Sequence, residues 1–293
     1  MDNKVLVIGL GSMGSAFAMT LLKNNYKVSI WNRTASKAKP LIKAGAIQAA
    51  SIAEGVGANN LIVICVSNYE DTKLLLEDCG DLSDKTLIQL TTASASDAKT
   101  MEAWAIQKGG LYLDGEILFG PSDVGTKEAM LVVAGSQEAW RVGEPVVNYL
   151  GANSRYLGEN VTEPTALNAA AILPMLGGIM GMIQGIQIVE KEGMDVGKCV
   201  DIIADIFESG DAYGIRRQGN AIARNAFSDS DEAIETWEAA CTRLIEGYAG
   251  RGINFELLQL MRDHLKRAME AGYGGEEVAA VIKVMRDGTA STT

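Results

Sequence analysis

At 293 residues, and about 100–200 residues per domain, the chain has room for two domains and a sizeable core. Its 26 Lys and Arg against 37 Asp and Glu give a formal charge of −11 with no basic run, which argues against nucleic acid or an anionic membrane surface as partner. Four scattered cysteines (Cys65, Cys79, Cys199, Cys241) and a single histidine argue against a closed metal site and against Ser-His-Asp or Cys-His catalysis unless His264 itself serves.

The N-terminus runs from Asn3-Lys4 straight into Val5-Leu6-Val7-Ile8, without the pattern of a secretory signal, so a reducing cytoplasm with free thiols is expected. Val5 to Ile8 reads as a buried strand and Met13 to Asn24 as a helix with Phe17, Leu21 and Leu22 near one face. Val28 to Trp31 is the next strand, with a helix from Ala35 to Lys43. Leu61 to Val66 and Thr86 to Leu90 continue the alternation, and shorter strands are expected at Leu111 to Leu113, Met130 to Ala134 and Ser154 to Leu157. Near-continuous Val, Ile and Leu strands alternating with helices imply an α/β fold whose parallel sheet is covered on both faces, mixed toward its later edge.

After about residue 160 the strand pattern stops. Helical periodicity marks Thr165–Glu192, Val196–Ser209, Trp237 to Gly250, Phe255–Ala271 and Glu276–Met285. The expected domains are therefore 1–160, a Rossmann dinucleotide-binding domain, and 161–293, all-helical and opening on a long interdomain helix. Thr165 to Val189 carries no charge and is long enough to span a bilayer, which takes about 20 apolar residues. Asn168, Gln184, Gln187, the internal Pro174 and acidic flanks argue instead for a helix buried at the centre of a soluble assembly, with Gly177, Gly181 and Gly185 admitting another backbone. A homodimer with interlocked helical domains and no membrane partner is the expectation.

Gly9-Leu10-Gly11-Ser12-Met13-Gly14 follows a strand and opens a helix, the context in which G-x-G-x-x-G cradles a pyrophosphate. The residue after the second strand would be acidic if it were to hold the ribose 2′-hydroxyl of NAD. Here Asn32-Arg33-Thr34-Ala35-Ser36-Lys37 offers two cations and a hydroxyl, which suits a 2′-phosphate, so NADP(H) is the expected cofactor.

These motifs, with Leu90-Thr91-Thr92, Tyr112-Leu113-Asp114-Gly115-Glu116-Ile117, Pro121-Ser122-Asp123-Val124-Gly125 and Gly272-Tyr273-Gly274-Gly275-Glu276-Glu277, resemble the β-hydroxyacid dehydrogenase superfamily over nearly the whole chain. Within it the chain is most similar to the imine reductases and reductive aminases. The resemblance adds Val66, Ser67 and Thr91 to the cofactor site. Thr92, Leu118 and Phe119 join the expected substrate pocket, with Ile172 and Leu176, one and two turns after Asn168 on the same helix face, and by the resemblance Asp211, Tyr213 and Trp237 close over the nicotinamide from the partner subunit.

Hydroxyacid enzymes carry a catalytic Lys where this chain has Asn168, and an Asn where it has Ile172. They also cradle the substrate carboxylate with a Ser-Gly-Gly loop, where Leu118 and Phe119 stand here. Most imine reductases have Asp or Tyr at the position of Asn168, and an amide donates no proton at neutral pH. Asn168 is thus expected to bind the substrate nitrogen or a water, with Glu116, Asp123 or Asp211 able to pass a proton through water. The resemblance implies NADPH-dependent reduction of apolar cyclic imines to amines, with reductive amination as an extension. A carbonyl reductase lacking the Lys, and a non-catalytic NADPH sensor, are the alternatives.

Overall fold

The β-branched runs form strands and the 3.6-period segments form helices in the computed structural model, which describes residues 3–92, 94–209, 214–228, 230 and 233–287. The chain divides into two compact units, Met1–Ile172 and Leu173–Thr293. The first is laid out as β1 (Lys4–Ile8), α1 (Ser12–Lys23), β2 (Lys27–Trp31), α2 (Lys39–Lys43), β3 (Ile47–Gln48), α3 (Ile52–Ala58), β4 (Leu61–Ile64) and α4 (Tyr69–Leu76). It continues through β5 (Thr86–Gln89), α5 (Ala95–Gln107), β6 (Leu111–Ile117), β7 (Leu131–Gly135), α6 (Gln137–Leu150) and β8 (Arg155–Tyr156), and ends in the start of α7 (Glu163–Lys191).

The eight strands form one sheet in the order β3-β2-β1-β4-β5-β6-β7-β8, parallel except for β6 against β7. Alternate residues of each central strand face opposite layers. Val5, Val7, Leu61 and Val63 pack with Phe17 and Leu21 of α1 and Val146, Val147 and Leu150 of α6. Leu6, Ile8, Ile62 and Ile64 pack with Ile52 and Val56 of α3, Leu76 of α4 and Met101 of α5. Each of these side chains contributes about 1.5–3 kcal/mol by leaving water. The chain reverses its direction across the sheet between β1 and β4, and an open α/β sheet binds its ligand outside the strand ends at such a point.

Two expectations need correcting in this unit. β6 does not stop at Leu113 but continues through Asp114 and Glu116, both buried, because each carboxylate finds hydrogen-bond donors inside. The helix read from Ala35 to Lys43 is a 3-10 turn over Ala35–Ala38 followed by α2, since Pro40 has no N–H for the ladder and sits in the first turn of α2.

The second unit holds the rest of α7, then α8 (Val196–Ser209), α9 (Ile215–Arg224), α10 (Ile234–Gly247), α11 (Glu256–Glu270) and α12 (Val281–Asp287). Phe227, Ile234, Cys241, Leu265, Ala268 and Val281 form its core. Glu276 and Glu277, expected to open the last helix, instead lie in a turn in which the Gly274 and Glu276 carbonyls accept from Glu235 and Ile234, and α12 begins only at Val281. Buried Glu277 in that turn accepts from Arg217 (2.7 Å) and Gln218 (3.0 Å), which pins α9.

Among the described helices α7 is the one long and apolar enough to cross a membrane, by length and composition alone. It is not buried within the single chain: Pro164 is its one buried residue, and Leu173, Met175, Leu176 and Met180 are all at least half exposed. Its polar side chains are engaged locally. Gln184 donates to the Asn254 carbonyl at 2.5 Å, and Gln187 accepts from the Asn254 N–H at 3.0 Å.

Candidate active site

The turn from β1 into α1 is shaped by glycines with different duties. Gly9 has φ +94°, and a Cβ there would meet the Cys65 carbonyl oxygen at 2.1 Å. A Cβ on Gly14 would lie 1.9 Å from the Gly9 carbonyl oxygen. Around Gly11 there is nothing within 4 Å, so the missing side chain leaves open space above the backbone. Gly11 is also the N-cap of α1, with no side-chain cap and no acidic residue in the first turn, whereas α3 to α6 each start on a capping Ser or Asn. Uncapped N–H groups at a positive helix end beside open space fit a pyrophosphate.

This turn forms one end of a cavity of about 460 Å³, which takes in Gly9, Leu10, Gly11, Ser12, Met13 and Gly14, then Asn32, Arg33, Thr34 and Lys37, then Val66 and Ser67. Asn32 ties the two loops together: its Oδ1 accepts from the Leu10 N–H at 2.8 Å and its Nδ2 donates to the Thr34 carbonyl at 3.0 Å. Arg33, Thr34 and Lys37 are exposed, and Arg33 also borders a second hollow beside Gln48 and Ala49. Two cations with no acidic residue among the loop positions 32–37 match a phosphate on the ribose, so the residues present fit NADPH.

Thr91 stands behind this cavity rather than in its wall. Its hydroxyl accepts from the Val66 N–H (3.0 Å) and donates to Gln89 (3.2 Å), whose amide donates to Thr72 of α4 (2.9 Å). Trp31, Cys65, Asp71, Leu74 and Leu75 complete the lining and were not anticipated; the last three come from α4. Burial pushes the Cys65 thiol up to about 11, so it is not a thiolate at neutral pH.

Asn168 lies on α7, half-buried, with Nδ2 3.0 Å from Oε2 of the buried Glu116; Thr165, one turn earlier, donates to Oε1 at 3.4 Å. Two residues before Glu116, Asp114 accepts from the hydroxyls of Tyr69 (2.5 Å) and Tyr112 (2.7 Å), while its Oδ1 is buried without a partner. Burial pushes Asp114 up to about 6, with the two tyrosines opposing the shift. Asp123 is exposed and caps its own turn by accepting from the Gly120 N–H.

Of the expected pocket residues, Thr92 is exposed and Leu118 is half-buried, its N–H bonded to the Met130 carbonyl. Phe119 packs partly onto the first core layer. Ile172 and Leu176 share the face of α7 that carries Asn168 and are 38% and 50% exposed. Trp237 borders an apolar hollow of about 200 Å³ within the second unit, with Cys241, Met261 and His264. Asp211 and Tyr213 lie outside the described residues. His264 accepts from the guanidinium of Arg267 on an exposed face. Among the described residues no cluster of three or more His, Cys, Asp or Glu could hold a metal ion.

Residues 4–158 match the family model of the NAD binding domain of 6-phosphogluconate dehydrogenase. Residues 163–287 match the C-terminal domain of the NADPH-dependent reductive aminase-like family. The chain is 27% identical to the NADPH-dependent reductive aminase of Aspergillus oryzae, over 98% of this chain and 99% of that one. It superposes with a TM-score of 0.86 and 29% identity on the imine reductase from Myxococcus stipitatus in complex with NADP+, covering 96% of this chain and 99% of the other. A reductive aminase from Aspergillus terreus, in complex with NADPH4, cyclohexanone and allyl amine, gives a TM-score of 0.86 at 25% identity, over 97% and 100%. Both halves point the same way: the chain belongs to the imine reductases and reductive aminases of the β-hydroxyacid dehydrogenase superfamily, oxidoreductases that use NADPH.

Proposed function

We propose that this chain reduces the C=N bond of apolar cyclic imines to amines with NADPH, that it also accepts an amine and a ketone in the same site, and that it works as a cytoplasmic homodimer. The observation that carries the reading is the reacting end of the first unit: the side chain offered by α7 is the amide of Asn168, where a hydroxyacid enzyme would need an ammonium to serve an alcohol oxygen. When bound, the cofactor supplies the hydride. The α1 N-terminus holds its pyrophosphate and Arg33, Thr34 and Lys37 its 2′-phosphate. Asn168 holds the substrate nitrogen, while Leu118 and Ile172 offer the carbon skeleton an apolar surface.

The A. terreus enzyme, with cyclohexanone and allyl amine in its complex, supports the two-substrate extension. The dimer reading is supported by the bare apolar faces of α7, which a second copy would cover while the helical domain of each copy closes over the other's nicotinamide. Four free thiols are in keeping with the cytoplasm. The experiment is NADPH consumption with a five-membered cyclic imine, run beside a short hydroxyacid and an aldehyde. Turnover of the imine alone is the expected result. Turnover of the carbonyl alone would make the chain a carbonyl reductase, and turnover of nothing would leave an NADPH-binding sensor.

A further inference from the structure

An asparagine amide has one acceptor and two donor hydrogens, and Glu116 decides how Asn168 uses them. A carboxylate can only accept, so its Oε2 fixes the Nδ2 end of the amide toward itself, at 3.0 Å. The arrangement is built rather than incidental. Glu116 is 3% exposed on β6, and the first turns of α7 bring it two donors three residues apart, Thr165 and Asn168. The amide oxygen of Asn168 is turned away from Glu116 and has no partner among the described residues.

We propose that Glu116 is a positioning and specificity residue: it presents Asn168 Oδ1, backed by a negative charge, to the substrate, so that the site selects an N–H-bearing cation over a neutral carbonyl. The inference rests on reading the chain as a C=N reductase. A protonated iminium, or the ammonium form of a bound amine, donates N–H to Oδ1. A ketone has no hydrogen to give and sets its own lone pairs against that oxygen. The electrical sign is opposite to that of a lysine at the same place. Proton bookkeeping then closes without an acid at position 168. The iminium carbon gains a C–H bond from the hydride, the C=N π pair becomes the nitrogen lone pair, NADPH is oxidised to NADP+, and a neutral amine results.

The test is binding without turnover, by calorimetry on the full chain loaded with NADP+, using pyrrolidine (protonated at neutral pH) and cyclopentanone as probes of equal size. Glu116→Gln keeps the shape, removes the charge and can turn either end toward Asn168. Pyrrolidine affinity is expected to fall about tenfold or more while cyclopentanone stays within about twofold. Adding Asn168→Asp to Glu116→Gln returns the charge to the pair and is expected to restore pyrrolidine binding. Equal losses for both probes, no loss for either, or failure of the folded double variant to recover overturns the proposal. Should the buried change at 116 prevent folding, Asn168→Leu, at a half-buried helix position, reads the same contact and must narrow the gap between the probes. Turnover of a cyclic imine by the wild type separates the two claims. With turnover but no change in probe selectivity, the role of Glu116 alone falls; without turnover, the reading beneath it falls as well.

Discussion

Arg33 stands on an exposed loop, so the 2′-phosphate contact proposed for it is local and screened by salt. Arg33→Ala is expected to weaken NADPH about tenfold or more, the scale of one charge-assisted hydrogen bond, and to leave NADH nearly unchanged. Fluorescence titration with both cofactors checks this, and the loss should shrink at high salt. Equal losses would mean that Arg33 supports the loop and not the phosphate. Asn168→Asp has a different signature, because it places a second carboxylate within hydrogen-bond distance of Glu116. Two such groups share one proton and one titration is pushed upward, so the rate on an imine should acquire a pH dependence that the wild type lacks. A profile of kcat against pH that does not change shape would remove residue 168 from the reacting nitrogen.

At the scale of elements, the glycines of the β1–α1 turn can be told apart by experiment. Gly14→Ala drives a Cβ into the Gly9 carbonyl and should abolish folding or lower Tm sharply, whereas Gly11→Ala meets open space and should melt like the wild type while losing NADPH. Asp114 ties β6 to α4 through Tyr69, and its raised titration carries a stability consequence. The folded chain holds this proton to higher pH than the unfolded chain does. The stability it contributes is therefore complete below about pH 4 and lost as pH rises through about 6. Between pH 5 and pH 8 the wild type should lose roughly 1–1.5 kcal/mol relative to Asp114→Asn, measurable in paired urea melts. The central strands and the phosphate loop were legible because Val5 to Ile8 of β1 and Leu61 to Ile64 of β4 are buried on both faces and therefore apolar. The end of β6 was not, because Asp114-Gly115-Glu116 reads as a turn until Tyr69 and Asn168, 45 and 52 residues away, supply the donors that let it stay inside. The helix α9 was missed for a similar reason: Ile215 to Arg224 is polar with a glycine at its centre, and its hold on the fold comes from Glu277, about 60 residues on.

At the scale of the molecule, the proposed dimer over the bare stripe of α7 makes assembly and stability one equilibrium. Sedimentation at micromolar concentration should return a dimer, and Tm should rise with protein concentration, as it does whenever association favours the folded form. A fully active monomer would sink the dimer reading. The same stripe has a consequence in the time domain of synthesis. Both core layers of the sheet lie within residues 5–161, so the first unit can close while the ribosome is still extending α7. In the proposed dimer Leu173, Met175, Met180 and Ile183 would be covered, and until that pairing they are apolar surface available to chaperones and proteases. On the dimer reading, survival of a newborn chain depends on how soon it meets another. The standing amount of enzyme should climb more steeply than its messenger, and two copies translated side by side on one transcript start with an advantage over copies made far apart.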